Sequence, residues 1–181
     1  GVAKLDNSWQ IRFQGQLKSE VMVFMQDLQD DYGLKLKAQP DHIKANNEKL
    51  ISLKVNPNLA EGKSESYTLE IDDDKIEIVG SDNAGVFYAM QSFLNLIPAN
   101  SQGAVEMPQL ELEDSPRYEW RGMHYDNGRN YHGKEAMFKL VEQMARYKMN
   151  KLHWHFSEDE GWRLEIPGLP ELAEVGGYRC F

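Results

Sequence analysis

The run Trp120-Arg121-Gly122-Met123-His124-Tyr125-Asp126, then Lys134 to Tyr147, then Asn150-Lys151-Leu152-His153-Trp154-His155-Phe156 decides the fold. Its middle segment carries Met137, Leu140, Val141 and Met144 on one face at helical spacing. The flanking segments, Tyr118 to Asp126 and Asn150 to Phe156, read as strands. A strand–helix–strand of this length predicts the βαβ unit of a parallel sheet or barrel. One such unit leaves two parallel edges unpaired and is not a domain by itself, so the second half of the sequence reads as unfinished.

Upstream of this unit lies a composition shift, with Pro98, Asn100, Ser101, Gly103, Pro108 and Pro116 within residues 98–116. It reads as a boundary, giving an α+β domain over residues 1–112 and a second piece over 113–181. In the first piece Leu17, Val21, Phe24, Met25, Leu28 and Tyr32 keep helical spacing, and Gly33 is a natural stop. Leu34 to Ala38 and Leu50 to Val55 are strand-like. Tyr67 to Ile71 and Lys75 to Val79 alternate apolar with polar around the turn Asp72-Asp73-Asp74, which predicts a hairpin. Asp82 or Asn83 can cap a helix bearing Val86, Phe87, Met90, Phe93, Leu94 and Ile97, which Pro98 ends. The expected architecture is an antiparallel sheet with helices on one face, followed by the first βαβ unit of a (β/α)8 barrel.

Composition narrows the function. Hydrophobic residues are 41% of 181, enough for a packed core. Lys plus Arg number 20 against 29 Asp plus Glu, a net charge of −9 that disfavours nucleic acid and anionic membrane. No apolar run approaches the ~20 residues of a membrane span, and the N-terminal residues lack the apolar core of a signal peptide. The single cysteine, Cys180, cannot form an internal bridge.

Chemistry gathers at the ends of the two predicted strands, where barrel enzymes place their sites. His153 and His155 alternate with apolar neighbours and share a face, with Glu158 and Asp159 just beyond. Two imidazoles and a carboxylate could hold a zinc-like ion. The plainer reading is a set of hydrogen-bonded polar residues inside a barrel, and with no further ligand visible the expectation is no metal. Arg129, in Asp126-Asn127-Gly128-Arg129-Asn130, offers a fork of donors suited to adjacent sugar hydroxyls or to a carboxylate. An ion pair with Asp126 is its plainer role. Trp154 and Trp162 could stack on a sugar face, or simply be buried. Consecutive residues diverge, so at most one of Glu158, Asp159 and Glu160 points into a site, and they are not a catalytic pair.

Several segments in order resemble the opening of the catalytic barrel in family-20 glycoside hydrolases, the β-N-acetylhexosaminidases. They are Trp120-Arg121-Gly122, Asp126-x-x-Arg129-Asn130, and Gln143-Met144-Ala145-x-Tyr147-Lys148-x-Asn150-Lys151-Leu152-His153-x-His155. The match continues through Gly161-Trp162-Arg163-Leu164-Glu165-Ile166-Pro167-Gly168-Leu169-Pro170-Glu171-Leu172 to Glu174-Val175-Gly176-Gly177. The Pro167 to Leu172 segment and Arg179-Cys180 resemble the bacterial chitobiase branch, and Tyr67 to Leu69 with Gly80 to Leu96 resemble the α+β domain that precedes the barrel.

The resemblance implies that Arg129 binds hydroxyls of a terminal sugar. It implies that Glu158, with Asp126, His153 and His155, belongs to a supporting network. Glu158 is one methylene longer than the family's usual Asp, and His124-Tyr125 stands where apolar residues are usual. The resemblance further implies substrate-assisted, retaining hydrolysis of terminal N-acetylglucosamine from chitin oligosaccharides, without a cofactor. The Asp–Glu pair of that reaction is expected beyond Phe181, so no residue here is catalytic and this chain alone is expected to be inactive. Its implied partners are an N-acetylglucosamine-containing oligosaccharide and the remainder of the barrel. A periplasmic or secreted location is implied, with a cysteine partner for Cys180 downstream. Two other classes stand beside this one: a non-catalytic interaction or carbohydrate-binding module, and a metal-dependent barrel hydrolase built on His153-x-His155.

Overall fold

The computed structural model describes residues 1–43 and 49–178, and Cys180 lies outside them. The chain divides into two compact units, Gly1–Arg117 and Tyr118–Phe181.

In the first unit the elements run β1 (Val2–Leu5), β2 (Gln10–Phe13), α1 (Lys18–Tyr32), β3 (Lys37–Pro40), β4 (Leu50–Val55), β5 (Tyr67–Ile71), β6 (Lys75–Gly80), α2 (Asn83–Leu96), β7 (Val105–Pro108) and β8 (Leu110–Asp114). Six strands form one sheet in the order β3-β2-β4-β6-β5-β8. Alternation sends every second side chain to the same face. The register then lines up Ile11, Ile51, Ile76 and Ile71 as one apolar row, and Phe13, Leu53, Ile78 and Leu69 as the next. All eight are buried.

Helix α2 packs on β4, β5 and β6, and α1 packs on α2, with Phe24 and Phe93 edge to face at 5.6 Å between ring centroids. Asp82 caps α2 by accepting from the Gly85 N–H, and Gly33 closes α1 at φ 68°, where a Cβ would be strained. The outer face is polar. Glu77, Glu70 and Glu111 stand side by side across β6, β5 and β8, and Lys54 and Lys75 pair with Glu77 at 2.5 and 3.1 Å.

The sheet is mixed, not antiparallel as expected. β3–β2, β2–β4 and β4–β6 are parallel pairs, whereas only β6–β5 and β5–β8 are antiparallel. The 15-residue helix α1 between β2 and β3 is a crossover, and a crossover returns its strand parallel. The Asp72 to Asp74 turn, closed by Asp72 N–H to Lys75 O, governs only its own hairpin. The strand expected at Leu34 to Ala38 forms two to three residues later, at Lys37–Pro40, because Leu34 and Leu36 are spent on the core. The stretch 98–116, with its three prolines, holds two strands. β7 pairs antiparallel with β1 in a separate ribbon, and β8 forms the edge of the main sheet.

The second unit contains β9 (Gly122–Asp126), α3 (Lys134–Arg146), β10 (Lys151–His155), the short pair β11 (Ser157–Glu158) and β12 (Gly161–Trp162), and one turn, α4 (Glu171–Glu174). β9 and β10 are parallel, from Gly122 opposite Lys151 to Asp126 opposite His155. The β9 strand starts at Gly122, later than expected, because Arg121 is drawn into end contacts. Its Nε donates to Lys148 O at 2.7 Å and its Nη1 to Tyr118 O at 2.8 Å. Helix α3 buries Met137 and Met144, while Val141, expected on that face, is exposed.

Candidate functional site

Asp126 and His155 end β9 and β10 as register partners, so the chain leaving each strand begins at the same level. The loop after β9 folds back at once: the N–H groups of Asn127 and Gly128 both donate to His155 O, at 2.9 and 3.2 Å. Asp126 Oδ1 accepts the N–H of Arg129, three residues on, at 2.9 Å, which fixes where the Arg129 side chain departs. The guanidinium then spans two carboxylates. Nη2 lies 2.7 Å from Glu158 Oε2 and Nη1 lies 3.5 Å from Asp126 Oδ2.

Glu158 is nine-tenths buried, whereas Arg129 is 60% exposed, so the donors that face outward have a fixed base. The Arg129 N–H, together with the charges of His155, Arg129 and His124, holds the Asp126 carboxyl below the usual range. The ion pair with Asp126 and an outward-facing fork therefore coexist in one residue. Of the three consecutive acids, Glu158 turns inward while Asp159 and Glu160 are exposed, as diverging directions require.

A residue that sequence reasoning gave no role holds this loop. Arg163, just after β12, donates from Nε to Asn127 O and from Nη2 to Gly128 O, each at 3.3 Å, and from Nη1 to Gly177 O. Its guanidinium also lies 5.8 Å from the Tyr131 ring centroid. The loop passes so close to β12 that a Cβ on Gly161 would sit 2.4 Å from Gly128 O. Nothing but glycine fits there without moving backbone.

The imidazoles gather on one face of the β9–β10 pair. His153 and His155 share it with His124, which is His153's register partner. The His124 and His153 rings stack at 4.6 Å, and the His155 ring stands at 68° to His124 at 5.9 Å. His124 entered the sequence reading only as a departure from an apolar pattern. The strand register, which a single sequence does not show, makes it a neighbour of the other two. Trp162 is half-buried with its N–H bonded to Leu164 O, and Trp154 packs on Phe156 at 4.4 Å.

Comparison with known proteins follows the same division. Residues 1–115 match "Glycosyl hydrolase family 20, domain 2", and residues 118–181 match "Glycosyl hydrolase family 20, catalytic domain". The N,N'-diacetylchitobiase of Vibrio harveyi is 54% identical over 119 residues, 66% of this chain and 13% of that protein. A β-hexosaminidase of Vibrio vulnificus is 52% identical over 118 residues, 65% of this chain and 14% of that protein. Among solved structures, a Vibrio harveyi exo-β-N-acetylglucosaminidase in complex with N-acetylglucosamine superposes with a TM-score of 0.83 at 29% identity. That superposition covers 97% of this chain and 26% of the other. The chain thus spans about a seventh of the length of the curated relatives it matches. Since domain 2 accounts for well over half of the sequence and the catalytic domain for nearly all the rest, the chain belongs to glycosyl hydrolase family 20.

Proposed function

We propose that this chain is the non-catalytic α+β domain and the N-terminal part of the catalytic barrel of a β-N-acetylhexosaminidase. Its substrate is an oligosaccharide ending in N-acetylglucosamine, such as a chitin fragment, and its location is periplasmic or secreted. No helix among the described residues is long and apolar enough to cross a membrane. Arg129 binds adjacent hydroxyls of the terminal sugar. Asp126 and Glu158 aim it, and His153 and His155 line the same strand ends. No residue of this sequence is assigned to the Asp–Glu pair that, with the substrate's acetamido group, carries out the reaction.

The observation that supports this reading is the bridged Arg129: an exposed guanidinium braced from two sides at the C-terminal ends of parallel strands. Lysine offers one compact ammonium and cannot reproduce a two-pronged grip. In the complete enzyme, Arg129→Lys is expected to lower kcat/KM on a chromogenic N-acetylglucosaminide by about 100-fold, or ~2.7 kcal/mol, with the fold retained. Arg121→Lys is the control, since Arg121 ties backbone at the other end of β9 and should affect stability more than turnover. If Arg129→Lys leaves kcat/KM near normal while Arg121→Lys abolishes it, the sugar is misplaced.

A further inference from the structure

We propose that His124, His153 and His155 form a binding site for one zinc-class divalent cation. The ligand nitrogens of the three residues all lie within 4.8 Å of one another. Two come from one strand at i and i+2, and the third from the neighbouring strand in register, so the backbone itself delivers them to one face. His155 Nε2 is buried without a hydrogen-bond partner among the described residues, an unsatisfied polar atom on one of the three ligand residues. Neutral imidazole suits zinc, copper or nickel, and not magnesium or calcium.

The geometry also states what binding requires. At Zn–N bonds of ~2.0–2.1 Å, tetrahedral nitrogens stand about 3.3 Å apart, so the triad must close inward. An ion lies in the plane of each ring that binds it, and the stacked rings of His124 and His153, 20° from parallel, do not share one. His124 therefore turns out of the stack on binding, which its exposed position allows. Two nearby carboxylates, both shared with Arg129, offset part of the added charge. Asp126 stands opposite His155 in the register, and Glu158 Oε2 lies 3.9 Å from His155 Nε2. Three imidazoles leave a fourth position open to water or another ligand. This inference does not depend on the hydrolytic reading, because it is measured on this chain by binding alone.

Zinc is titrated calorimetrically into the 181-residue chain near neutral pH. One zinc per chain with micromolar or tighter affinity is expected. His124→Gln, His153→Gln and His155→Gln should each weaken it at least tenfold, while the other two histidines, in His42→Gln and His132→Gln, should leave it unchanged. Circular dichroism of each variant matches the parent if folding is intact. Cobalt(II) bound to the unmodified chain gives the intense visible bands of four-coordination, a readout that needs no substitution. Absent binding, a six-coordinate cobalt spectrum, or equal losses in all five variants overturns the site.

Discussion

Asp82 shows how much one carboxylate can hold. Its Oδ1 accepts the Gly85 N–H at 2.7 Å, capping α2, and its Oδ2 accepts Ser64 Oγ at 2.6 Å and the Glu65 N–H at 3.0 Å. Burial pushes this carboxyl up, yet the bonds from Ser64, Gly85, Glu65 and Ala84 outweigh it and leave Asp82 below the usual range. A group whose folded value is depressed stabilises the fold above its unfolded value, ~3.9 for Asp, and that contribution is lost as pH falls through the folded value. Asp82→Ala should therefore cost about 1–2 kcal/mol near neutral pH and flatten the acid limb of stability below about pH 4. Urea unfolding at both pH values tests this: equal acid losses in parent and variant would assign the acid sensitivity to other groups. The capping role was legible in the sequence because it is local. The reach to Ser64 and Glu65 was not, because it crosses the whole β5–β6 hairpin.

At the scale of elements, Arg163 ties the loop after β9 to β12 and to Gly177 through three carbonyl oxygens. Hydrogen bonds from a charged donor contribute roughly 1.5–3 kcal/mol each. Lysine at this position reaches one oxygen at most. Arg163→Lys should speed exchange of the Arg129 amide, bonded to Asp126, about tenfold or more, the equivalent of ~1.4 kcal/mol. Unchanged exchange would mean that Asp126 alone sets the loop. Legibility divides the same way among the other elements. The β5–β6 hairpin and α2 carry their own signals in alternation, turn acids, a cap and a terminating proline. Strands β2 and β7 are four residues each, too short for periodicity, and the parallel pairing of β2 with β4 joins residues about 40 positions apart. Arg129 and Glu158 could be singled out from a resemblance, but His124 acquires neighbours only through register.

Across the whole chain, the two units differ in how they bury apolar surface. The first has a continuous core from Ala3 to Met107 that includes Trp9, Phe24 and Phe93. The second buries Met137 and Met144 but exposes Tyr118, Trp120, Phe138, Tyr147 and Tyr178, among others. Local stability follows buried apolar contact. In the 181-residue chain, amides of β4, β5 and β6 should exchange at least ~100-fold more slowly than those of β9 and β10, a difference of ~2.7 kcal/mol. Equal, high protection in both strand sets would show that the second unit is stable on its own terms.

The row of Glu77, Glu70 and Glu111 across the outer face of the sheet has a consequence for ionic strength. Like charges directly opposite on neighbouring strands repel, and among the described residues the row's paired lysines, Lys54 and Lys75, both bind Glu77. Added salt screens both the repulsion and the pairs, but exposed pairs contribute little, and the chain as a whole carries −9. The net effect of dissolved ions is relief. The urea midpoint of the first unit should rise between about 0.01 M and 1 M sodium chloride, as the Debye length shrinks from ~30 to ~3 Å. A falling midpoint would mean that the two lysines outweigh the row. With the rise, this sheet is best suited to brine and least so to dilute water.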